Sequence, residues 1–516
     1  MTLNRFVNIF TSWRFVILVL VILAGTSMII VWVSTPWGVR VSHDSLFYLS
    51  AAKNISQLQG VYWTGSGGEL KPLNHFPPFY SLSVALLLWL GLSAATAARS
   101  LAMILAGMNT FLLGIILHRY TQSVAATFIG VLTIFFVPVV FGLHLQAMSE
   151  PLFIMFMLLA LSIGAEYLRN QQKKYIVAAA VLASMAGLTR WIGTSVLISL
   201  ITVIFFIGHG SYRSRLKSTL RVGLIGFLPI LGWMFRNWSL TGSLTNRTFI
   251  VHPIDLDTIR TLLDVVFRWL TTIYLSHWVQ GFLLICFFLG SFFYLTWRRV
   301  RVKDRRGSLF AANLFLVFPL FYLLQLIISI SFFDASTRID ERILSPFFVS
   351  MMVSVILLIF SVGNRWMQLM LITGFISLLV LGPLPDQWKE TQAMISSIRQ
   401  NGAGFTTKYW RNSEVVDWIQ TQEDDATIIT NRAMVVNFLT GYPAIQIPER
   451  WDPVKDKIRE DYQIEIDQMS ANLKKPNAYL VLFEYQDLTA FENEAWTESL
   501  SIIYKGPEGV IYSYSE

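Results

Sequence analysis

The sequence predicts a mainly α-helical protein: a polytopic transmembrane bundle of about 11–13 helices, followed by a small α/β domain at the C-terminal end. Three observations predict this fold class: an apolar composition, a series of long apolar segments, and a change of pattern after residue 383. Of the 516 residues, 54% are hydrophobic and 14% are charged, whereas a soluble domain carries about 25% charged residues. Repeated membrane crossings account for that difference.

The first membrane span is predicted at residues 15–34, which carry no charge. A helix of about 20 residues, at 1.5 Å per residue, covers the ~30 Å of bilayer hydrocarbon. A cleavable signal peptide is the competing interpretation, but its apolar core would be only ~7–15 residues long, so retention is favoured. Further segments are predicted to be helices, because lipid leaves no water for open backbone groups. They centre on residues 79–93, 100–117, 123–143, 151–165, 175–189, 192–208, 219–235, 279–297, 309–330, 343–362 and 366–383.

Clusters of arginine and lysine between these segments predict the orientation in the membrane. By the positive-inside rule the clusters are cytoplasmic, and so is the N-terminus. The alternation fails once, between residues 79 and 122, where either one segment does not cross or His118 and Arg119 lie outside. The cytoplasmic residues are Arg5, Arg14, Arg169, Lys173, Lys174, Arg213, Arg215, Lys217, Arg221, Arg298, Arg299, Arg301, Lys303, Arg305, Arg306 and Arg365. The external segments are residues 36–78, 144–150, 237–278, 331–342 and 384–516.

The chain is therefore predicted to have two parts. Residues 1–383 form a transmembrane module with a long first external loop at 36–78, and residues 384–516 form an extracytoplasmic α/β domain. In the tail, SEVVDWIQ at 413–420 has a serine in the N-cap position and a helical apolar spacing. ATIIT and AYLVLFEY have the composition of short buried strands, and SIIYKG followed by GVIYSYS predicts a hairpin.

Charge and cysteine content exclude several functions. The net charge of +8 suggests nucleic-acid binding at first sight. However, the positive side chains lie in short loops where membrane topology already explains them, so no nucleic-acid partner is predicted. The single cysteine, Cys286, excludes an intramolecular disulfide and a cysteine-based metal cluster. No P-loop motif is present, so no soluble nucleotide is expected as a substrate.

The long first external loop contains the first candidate functional residue, Asp44. Loops of this length in a compact protein are usually functional or disordered, and the apolar residues at 47–52 favour an ordered loop. Asp44 stands just before an amphipathic segment, SLFYLSAAKNI. Two roles stay open for its carboxylate: a cap on the helix N-terminus, or a catalytic or metal-binding group.

Two short motifs mark the starts of later apolar segments. HFPP at residues 75–78 leads into a segment, and paired prolines suit a helix start because the first turn needs no amide donor. SEP at residues 149–151 opens another segment. Glu150 either stabilises the positive end of that helix dipole or serves as a second acid or metal ligand.

Three arginines, Arg190, Arg236 and Arg342, lie at predicted external helix ends. External arginine at the membrane surface runs against the positive-inside bias, so a specific anionic partner is a reasonable inference. The guanidinium fork suits phosphate. The alternative is that each arginine extends to the lipid headgroups, or pairs with a neighbour such as Asp340 or Glu341.

Short motifs also occur in a defined order along the chain. They are Asp44-x-x-x-Tyr48, Pro77-Pro78-x-Tyr80, SEPLF at 149–153, LTR at 188–190, RNWxLTG at 236–242 and ERxLxPF at 341–347. Their order and membrane side resemble the GT-C glycosyltransferases, in the branch similar to dolichyl-phosphate-mannose protein mannosyltransferases and bacterial aminoarabinose lipid A transferases. The resemblance covers residues 10–383 and is weaker over the tail.

The resemblance implies a GT-C-like bundle that transfers a sugar from a polyprenyl-phosphate donor, at the external face, to a lipid, glycan or protein acceptor. It assigns Asp44 as the catalytic base. Displacing a lipid phosphate from an anomeric carbon also needs cations that stabilise the leaving phosphate. The candidates for this role are Arg342 and Arg236, and then Arg190.

The sequence departs from the family pattern at two places. Many relatives have lysine or glutamate just before the proline pair, where this chain has His75-Phe76. Some relatives use a second carboxylate, which only Glu150 represents in this chain. No cofactor is therefore certain, and a divalent metal stays an open alternative. The residues assigned to a substrate loop are Tyr48, His75 and Tyr80.

Two other classes of protein compete with this interpretation. A multi-pass transporter or lipid flippase would have broken helices and ionisable residues at mid-membrane, whereas these apolar segments are nearly free of charge. A noncatalytic membrane scaffold would not need a long ordered loop with a carboxylate. The enzyme is therefore the favoured class.

Overall fold

The computed structural model describes residues 13–302, 307–334, 337–423, 425–452, 457–484, 495–497 and 499–514. Four basic residues that contribute to the predicted orientation, Arg5, Lys303, Arg305 and Arg306, lie outside these ranges. The chain forms two compact units. The first contains the described residues of Met1–Ser34, Asn74–Tyr80 and Arg99–Ser397, and the second those of Thr35–Leu73, Ser81–Ala98 and Ile398–Glu516.

Most of the chain is helical, and strands occur in the second unit. In chain order the α-helices are α1 Trp13–Ser34, α2 His43–Ser56, α3 Phe79–Trp89, α4 Ala94–Thr121, α5 Val124–Phe135, α6 Pro138–Phe141, α7 Glu150–Asn170, α8 Lys173–Thr189, α9 Thr194–Ile207, α10 Tyr212–Thr241, α11 Leu256–Arg268, α12 His277–Arg301, α13 Ser308–Phe332, α14 Glu341–Ser361, α15 Arg365–Val380, α16 Leu384–Asn401, α17 Lys408–Arg411, α18 Glu414–Gln420, α19 Ala433–Thr440 and α20 Tyr462–Leu473. The strands are β1 Tyr62–Thr64, β2 Leu70–Pro72, β3 Thr427–Thr430, β4 Ile445–Gln446, β5 Trp451–Asp452, β6 Lys457–Ile458, β7 Ala478–Phe483, β8 Leu500–Lys505 and β9 Gly509–Tyr514.

Within the described ranges, seven helices are long and apolar enough to cross a membrane: α1, α4, α7, α10, α12, α13 and α14. Two bent pairs raise the number to nine. One joins α5 to residues 138–145 at an angle of 67°, and the other joins α15 to α16 at 47°. The predicted multi-pass helical bundle is therefore confirmed, although several predicted spans are shorter than 18 residues.

The segment at 79–93 forms a short helix, α3, of 11 residues. At 1.5 Å per residue it spans ~16 Å, about half the thickness of the hydrocarbon. The helix ends before Gly91, which has a left-handed backbone (φ 85°). The next helix, α4, is 28 residues long. The ambiguity between residues 79 and 122 thus has a physical basis, because α3 by itself is shorter than the ~20 residues of a typical membrane span.

The first unit is built around α7 and α14. In the apolar 18-residue stretch of each of these helices, 78% of the stretch is buried within the protein. The corresponding share is 22% in α1 and α10 and 17% in α12. Helix α7 packs against α8 and α13, and α13 packs along α14. Gly164 permits a close approach to α9, since a Cβ atom there would lie 2.4 Å from Cδ2 of Leu200. The first residues of α7 and α14 carry the candidate site.

The second unit contains a five-stranded sheet in the order β4-β3-β7-β9-β8. Strand β3 is parallel to β4 and β7, whereas β9 is antiparallel to β7 and β8. The predicted strands ATIIT and AYLVLFEY correspond to β3 and β7, and the predicted hairpin to β8 and β9. Ser413 caps α18 by accepting a hydrogen bond from Val416 N at 3.3 Å. The α/β character predicted for the tail is therefore confirmed.

The loop at 36–78, predicted to be external, belongs to this same unit. It contains α2 and the β1–β2 hairpin, and it joins the C-terminal segment through backbone contacts. Val41 pairs with Gly404, and the Thr406 hydroxyl donates to the carbonyl of Val39 at 3.0 Å. Further along the loop, Gly67 N donates to the carbonyl of Ala444 at 2.8 Å. The described residues of 35–73 and 398–516 therefore belong to one compact unit.

These units differ from the predicted division at residue 383 in two respects. Residues 384–397 belong to the first unit, and the loop at 35–73 and residues 81–98 belong to the second. The predicted boundary came from hydropathy, which separates polar from apolar sequence. A compact unit depends instead on which polar segments pack together. The domains 1–383 and 384–516 stay a prediction about which residues the membrane surrounds.

Candidate active site

Glu150 lies at the centre of the candidate site, as the first residue of α7. Its side chain is 1% exposed. Its Oε1 atom is 2.8 Å from Nη1 of Arg190 and 3.4 Å from Nη1 of Arg342. The structure thus brings together three of the residues that the sequence singled out, from three elements that are distant along the chain.

The electrostatics of this cluster are unusual for a helix start. A buried carboxylate is costly unless it is paired and hydrogen-bonded. Neither oxygen of Glu150 accepts a well-directed hydrogen bond from the residues that the structure describes. The contact is therefore mainly between charges. Since two guanidinium groups face one carboxylate, the three residues together carry a net charge of +1.

Arg190 is held at the end of α8 by the turn that follows it. Besides approaching Glu150, it donates a hydrogen bond from Nη1 to the Ser149 hydroxyl at 3.1 Å. The next residue, Trp191, donates from Nε1 to the carbonyl of His75 at 2.9 Å. Gln325 of α13 donates to the carbonyl of Trp191 at 3.0 Å. The α8–α9 turn is thus fixed from two sides, and Arg190 with it.

Three consecutive residues at the start of α14 have three different roles. Asp340 is the N-cap, and its Oδ1 accepts a hydrogen bond from Ile343 N at 2.8 Å. Glu341 lies 3.7 Å from Nη1 of Arg268. Arg342 approaches Glu150, and the hydroxyl of Tyr322 donates to the carbonyl of Ile343. The described ion pair of Arg342 is therefore with Glu150 on α7, and the predicted alternative of Asp340 or Glu341 stays a prediction.

Sequence reasoning missed a further arginine, Arg247. Its Nη1 donates to the Ser329 hydroxyl at 2.9 Å, and its Nη2 lies 3.4 Å from Oδ2 of Asp334. Burial lowers the pKa of Arg247; Asp334 opposes that shift, and the positive charge of Arg190 lowers the pKa further. Arg190 and Arg247 therefore lie close enough to repel. Arg247 lies in the segment 237–278, predicted to be external, so the charge rule that singled out Arg190, Arg236 and Arg342 applies to it as well.

The other candidates in the first unit have different surroundings. The Arg236 guanidinium lies over the Trp233 ring, 4.6 Å from its centroid, and donates to Oδ1 of Asn237 at 3.1 Å. Tyr80 is buried. The His75 ring contacts Phe76 edge to face, at 4.6 Å between centroids. His75 thus takes part in the site through its backbone carbonyl, which accepts from Trp191.

Asp44 lies in the second unit, in the first turn of α2. The N-cap of that helix is Ser42, which forms a reciprocal capping box with Ser45. Ser42 N donates to the Ser45 hydroxyl at 3.0 Å. Ser42, two residues earlier, is therefore the N-cap in place of Asp44, whereas Asp44 lies in the first turn, where its charge favours the positive end of the helix dipole. Asp44 is half-buried, and Tyr48, one turn later, is buried.

The donor set around Glu150 does not suit a metal ion. Divalent cations prefer carboxylate, carbonyl or imidazole ligands, whereas the groups within ion-pair distance of Glu150 are guanidinium cations. Among the residues with described positions, no group of three or more His, Cys, Asp or Glu side chains is arranged to hold a metal.

No protein-family model matches the sequence, and no curated protein does either. Comparison with solved structures finds proteins that share the fold of this chain, at 12–13% identity. The predicted resemblance is therefore confirmed at the level of fold.

Two proteins of known structure share this fold. The chain is similar to ArnT from Cupriavidus metallidurans bound to undecaprenyl phosphate, with 13% identity, a TM-score of 0.57, and coverage of 95% of this chain and 97% of that one. The apo state of ArnT gives a TM-score of 0.58 at 12% identity. The chain is also similar to the archaeal oligosaccharyltransferase AglB from Archaeoglobus fulgidus, with 12% identity, a TM-score of 0.54, and coverage of 98% of this chain and 75% of that one.

Proposed function

We propose that this protein is an integral membrane glycosyltransferase that transfers a sugar from a polyprenyl-phosphate donor to an acceptor at the external face of the membrane. The observation that carries the proposal is the buried Glu150 carboxylate with Arg190 and Arg342 beside it. The shared fold adds support, because ArnT was solved with undecaprenyl phosphate and AglB with dolichol phosphate.

The arginine cluster would bind the phosphate of the donor. Transfer breaks the bond between the anomeric carbon and a phosphate oxygen, so negative charge develops on the departing polyprenyl phosphate. Fixed cations stabilise that charge best in a site from which water is excluded. Arg190 and Arg342 bring two cations, and Glu150 holds them in place while neutralising one. Arg247 lies within electrostatic reach of Arg190 and would add to the positive potential.

Asp44 would act as the general base that removes the proton from the acceptor hydroxyl as the hydroxyl attacks the anomeric carbon. Two observations support this role. Ser42 and Ser45 already satisfy the start of α2, so the carboxylate of Asp44 is not required as a cap. The neighbouring Val41 is tied to Gly404, so the loop that carries Asp44 has a defined conformation.

We also propose that the N-terminus is cytoplasmic and the tail extracytoplasmic. If α3 does not cross, successive loops alternate consistently between the two sides of the membrane, with eleven crossings. The crossings are the seven long helices, the bent pair at 124–145, and α8, α9 and α15. Arg119 then falls on the same side as Arg169, and both bind Glu166. The positive-inside rule makes that side cytoplasmic. Glu150, Arg190 and Arg342 fall on the opposite side.

The test is sugar transfer by the purified protein in lipid nanodiscs. A panel of undecaprenyl-phosphate sugars, each radiolabelled in the sugar, would be supplied with a membrane extract as the source of acceptor. We expect loss of label from one donor, release of undecaprenyl phosphate, and labelled product. If no donor is consumed, but undecaprenyl phosphate crosses the bilayer of reconstituted vesicles, the protein is a flippase and the proposal is wrong.

A further inference from the structure

A cavity of about 370 Å³ lies in the first unit, among α5, α14 and α15. Helix α14 packs against both of the other helices. The volume is within the range of ~300–1,000 Å³ that is usual for ligand sites. The lining comes from α5, from the last turns of α14 and from one face of α15. The residues that the argument uses are Ser123, Ile129, Thr133, Arg365, Gln368 and Ile372.

The cavity is about as long as one leaflet of the bilayer is thick. On α15 its lining runs from Arg365 to Ile376, which at 1.5 Å per residue is ~16 Å. Half of the hydrocarbon thickness is ~15 Å. Ile129 of α5 lines the cavity and is 39% exposed, so the cavity opens on the outer surface of the bundle. These dimensions suit an acyl chain that lies along the helices.

The polar side chains of the lining differ in whether the protein already uses them. The Ser123 hydroxyl accepts from a backbone amide of α5 at 3.2 Å, and the Thr133 hydroxyl donates to a carbonyl of α5 at 2.8 Å. Arg365 and Gln368, one turn apart on α15, make no side-chain hydrogen bond or ion pair with any residue that the structure describes. The rest of the lining is apolar. The cavity therefore offers polar groups to a ligand at one end only.

That polar end is positively charged. Arg298 of α12 lies against the turn between α14 and α15, since its Nε donates to the carbonyl of Ser361 at 3.1 Å and a Cβ atom on Gly363 would lie 2.4 Å from its Nη2. Arg298 and Arg365 are thus at the same turn, and neither pairs with a carboxylate of the described residues. The next residue, Trp366, is 78% exposed, as is typical of tryptophan at a membrane–water boundary.

Other classes of occupant do not fit these features. A partner helix ~10 Å across and ~16 Å long fills ~1,300 Å³, more than three times the volume of the cavity. A water-soluble anion would use Arg365 and leave the apolar walls without a partner. The donor of the proposed transfer has its phosphate at Arg342, near the start of α14, whereas Arg365 follows the end of that helix, ~30 Å away at 1.5 Å per residue.

We propose that this cavity, the lipid groove, binds one acyl chain of an anionic phospholipid. The phosphate would lie at Arg365 and Arg298, and an ester carbonyl would accept from Nε2 of Gln368. Basic sites between transmembrane helices on the cytoplasmic side are suited to anionic headgroups, and α15 begins on that side in the proposed topology. The inference goes beyond the proposed transfer of sugar and does not depend on it.

The test counts the lipids that stay bound to the full chain. The protein in nanodiscs of equal parts phosphatidylcholine and phosphatidylglycerol, with identical acyl chains, would be released and weighed by native mass spectrometry. We expect one phosphatidylglycerol per chain, retained at least fivefold more often than phosphatidylcholine. Arg365→Gln should lower its retention about fivefold, the value of one basic side chain beside an anionic lipid. Ile372→Trp, which fills the groove and keeps the arginine, should lower retention of both lipids.

Arg213→Gln and Leu371→Trp are the matched controls. Arg213 is an exposed arginine at the start of α10, on the predicted cytoplasmic side and outside the groove. Leu371 precedes Ile372, is 43% exposed and does not line the groove. We expect both variants to retain phosphatidylglycerol as wild type does.

Four results would overturn the inference. Two of them are equal retention of the two phospholipids, and a loss in Arg213→Gln as large as in Arg365→Gln. The third is displacement of phosphatidylglycerol by an equal amount of undecaprenyl phosphate, which would assign the groove to the donor lipid. The fourth is a dimer that dissociates in Ile372→Trp, which would make the groove a contact between two copies. No turnover is measured, so failure of this assignment is distinguishable from failure of the proposed transfer.

Discussion

Replacing Arg342 by lysine tests the phosphate clamp with little disturbance of the fold. The Arg342 side chain is 31% exposed, and its Nη1 is 3.4 Å from Glu150, which stays paired with Arg190 at 2.8 Å. Lysine keeps the positive charge beside that carboxylate. We therefore expect the free energy of unfolding to change by less than ~1 kcal/mol, as for other partly exposed ion pairs.

The expected loss of activity is larger, because a phosphate needs the geometry of the guanidinium as well as its charge. A hydrogen bond to a charged group is worth ~1.5–3 kcal/mol net. A lysine ammonium is a point charge and lacks the planar fork with which a guanidinium donates to two phosphate oxygens. Loss of one such bond lowers kcat/KM for the donor by about 10- to 150-fold, at ~1.4 kcal/mol per factor of ten. Arg342→Ala should lose more.

The assay is sugar transfer from a polyprenyl-phosphate donor at varied donor concentration and matched protein level. Arg260→Lys is the control, because Arg260 is also an arginine near a carboxylate: its Nη1 is 2.8 Å from Oδ1 of Asp257, but its side chain is 54% exposed. We expect this control to match wild type. If Arg342→Lys also shows wild-type donor saturation, Arg342 is an ion-pair partner of Glu150 and does not bind the donor.

Three further predictions concern other parts of the molecule. Asp44→Asn should abolish transfer without lowering the thermal unfolding temperature, because Ser42 caps α2; near-normal transfer would remove Asp44 as the base. Glu150→Gln should destabilise the protein by up to ~3–5 kcal/mol, since it leaves two arginines facing each other without a carboxylate, and an unchanged unfolding temperature in detergent would contradict the described pairing. Reporter fusions after Val302 and at the C-terminus should report opposite sides of the membrane; the same side for both would refute the topology.

Local signals explain how much of the fold was predictable. The Ser413 cap, the strands β3 and β7 and the β8–β9 hairpin all depend on short stretches of sequence, and each was predicted. The extent of α3 was not, because hydropathy treats residues 79–93 as one apolar run and does not register that Gly91 ends the helix. Hydropathy reports composition, whereas the length of a helix depends on the backbone conformation that single residues adopt.

The pairing of Glu150 was beyond sequence reasoning for a different reason. Arg342 has carboxylates at the two preceding positions, and these were the alternative partners that the sequence offered. Consecutive residues on a helix point in different directions, however, so neighbours at i and i+1 do not face each other. The start of α14 illustrates this rule, since Asp340 turns back to its own backbone and Arg342 reaches α7. Which residue of α7 faces Arg342 depends on the packing of the whole bundle.

The pairing of the first external loop with the C-terminal segment has a consequence for the order of events during synthesis. Val41 and Gly404 are paired, and at ~5–20 residues per second the ribosome needs roughly 20–70 s to make the chain between them. During that time the loop that carries Asp44 lacks the backbone partner at Gly404. The pairing of Val41 can therefore form only after all the predicted membrane spans have been synthesised.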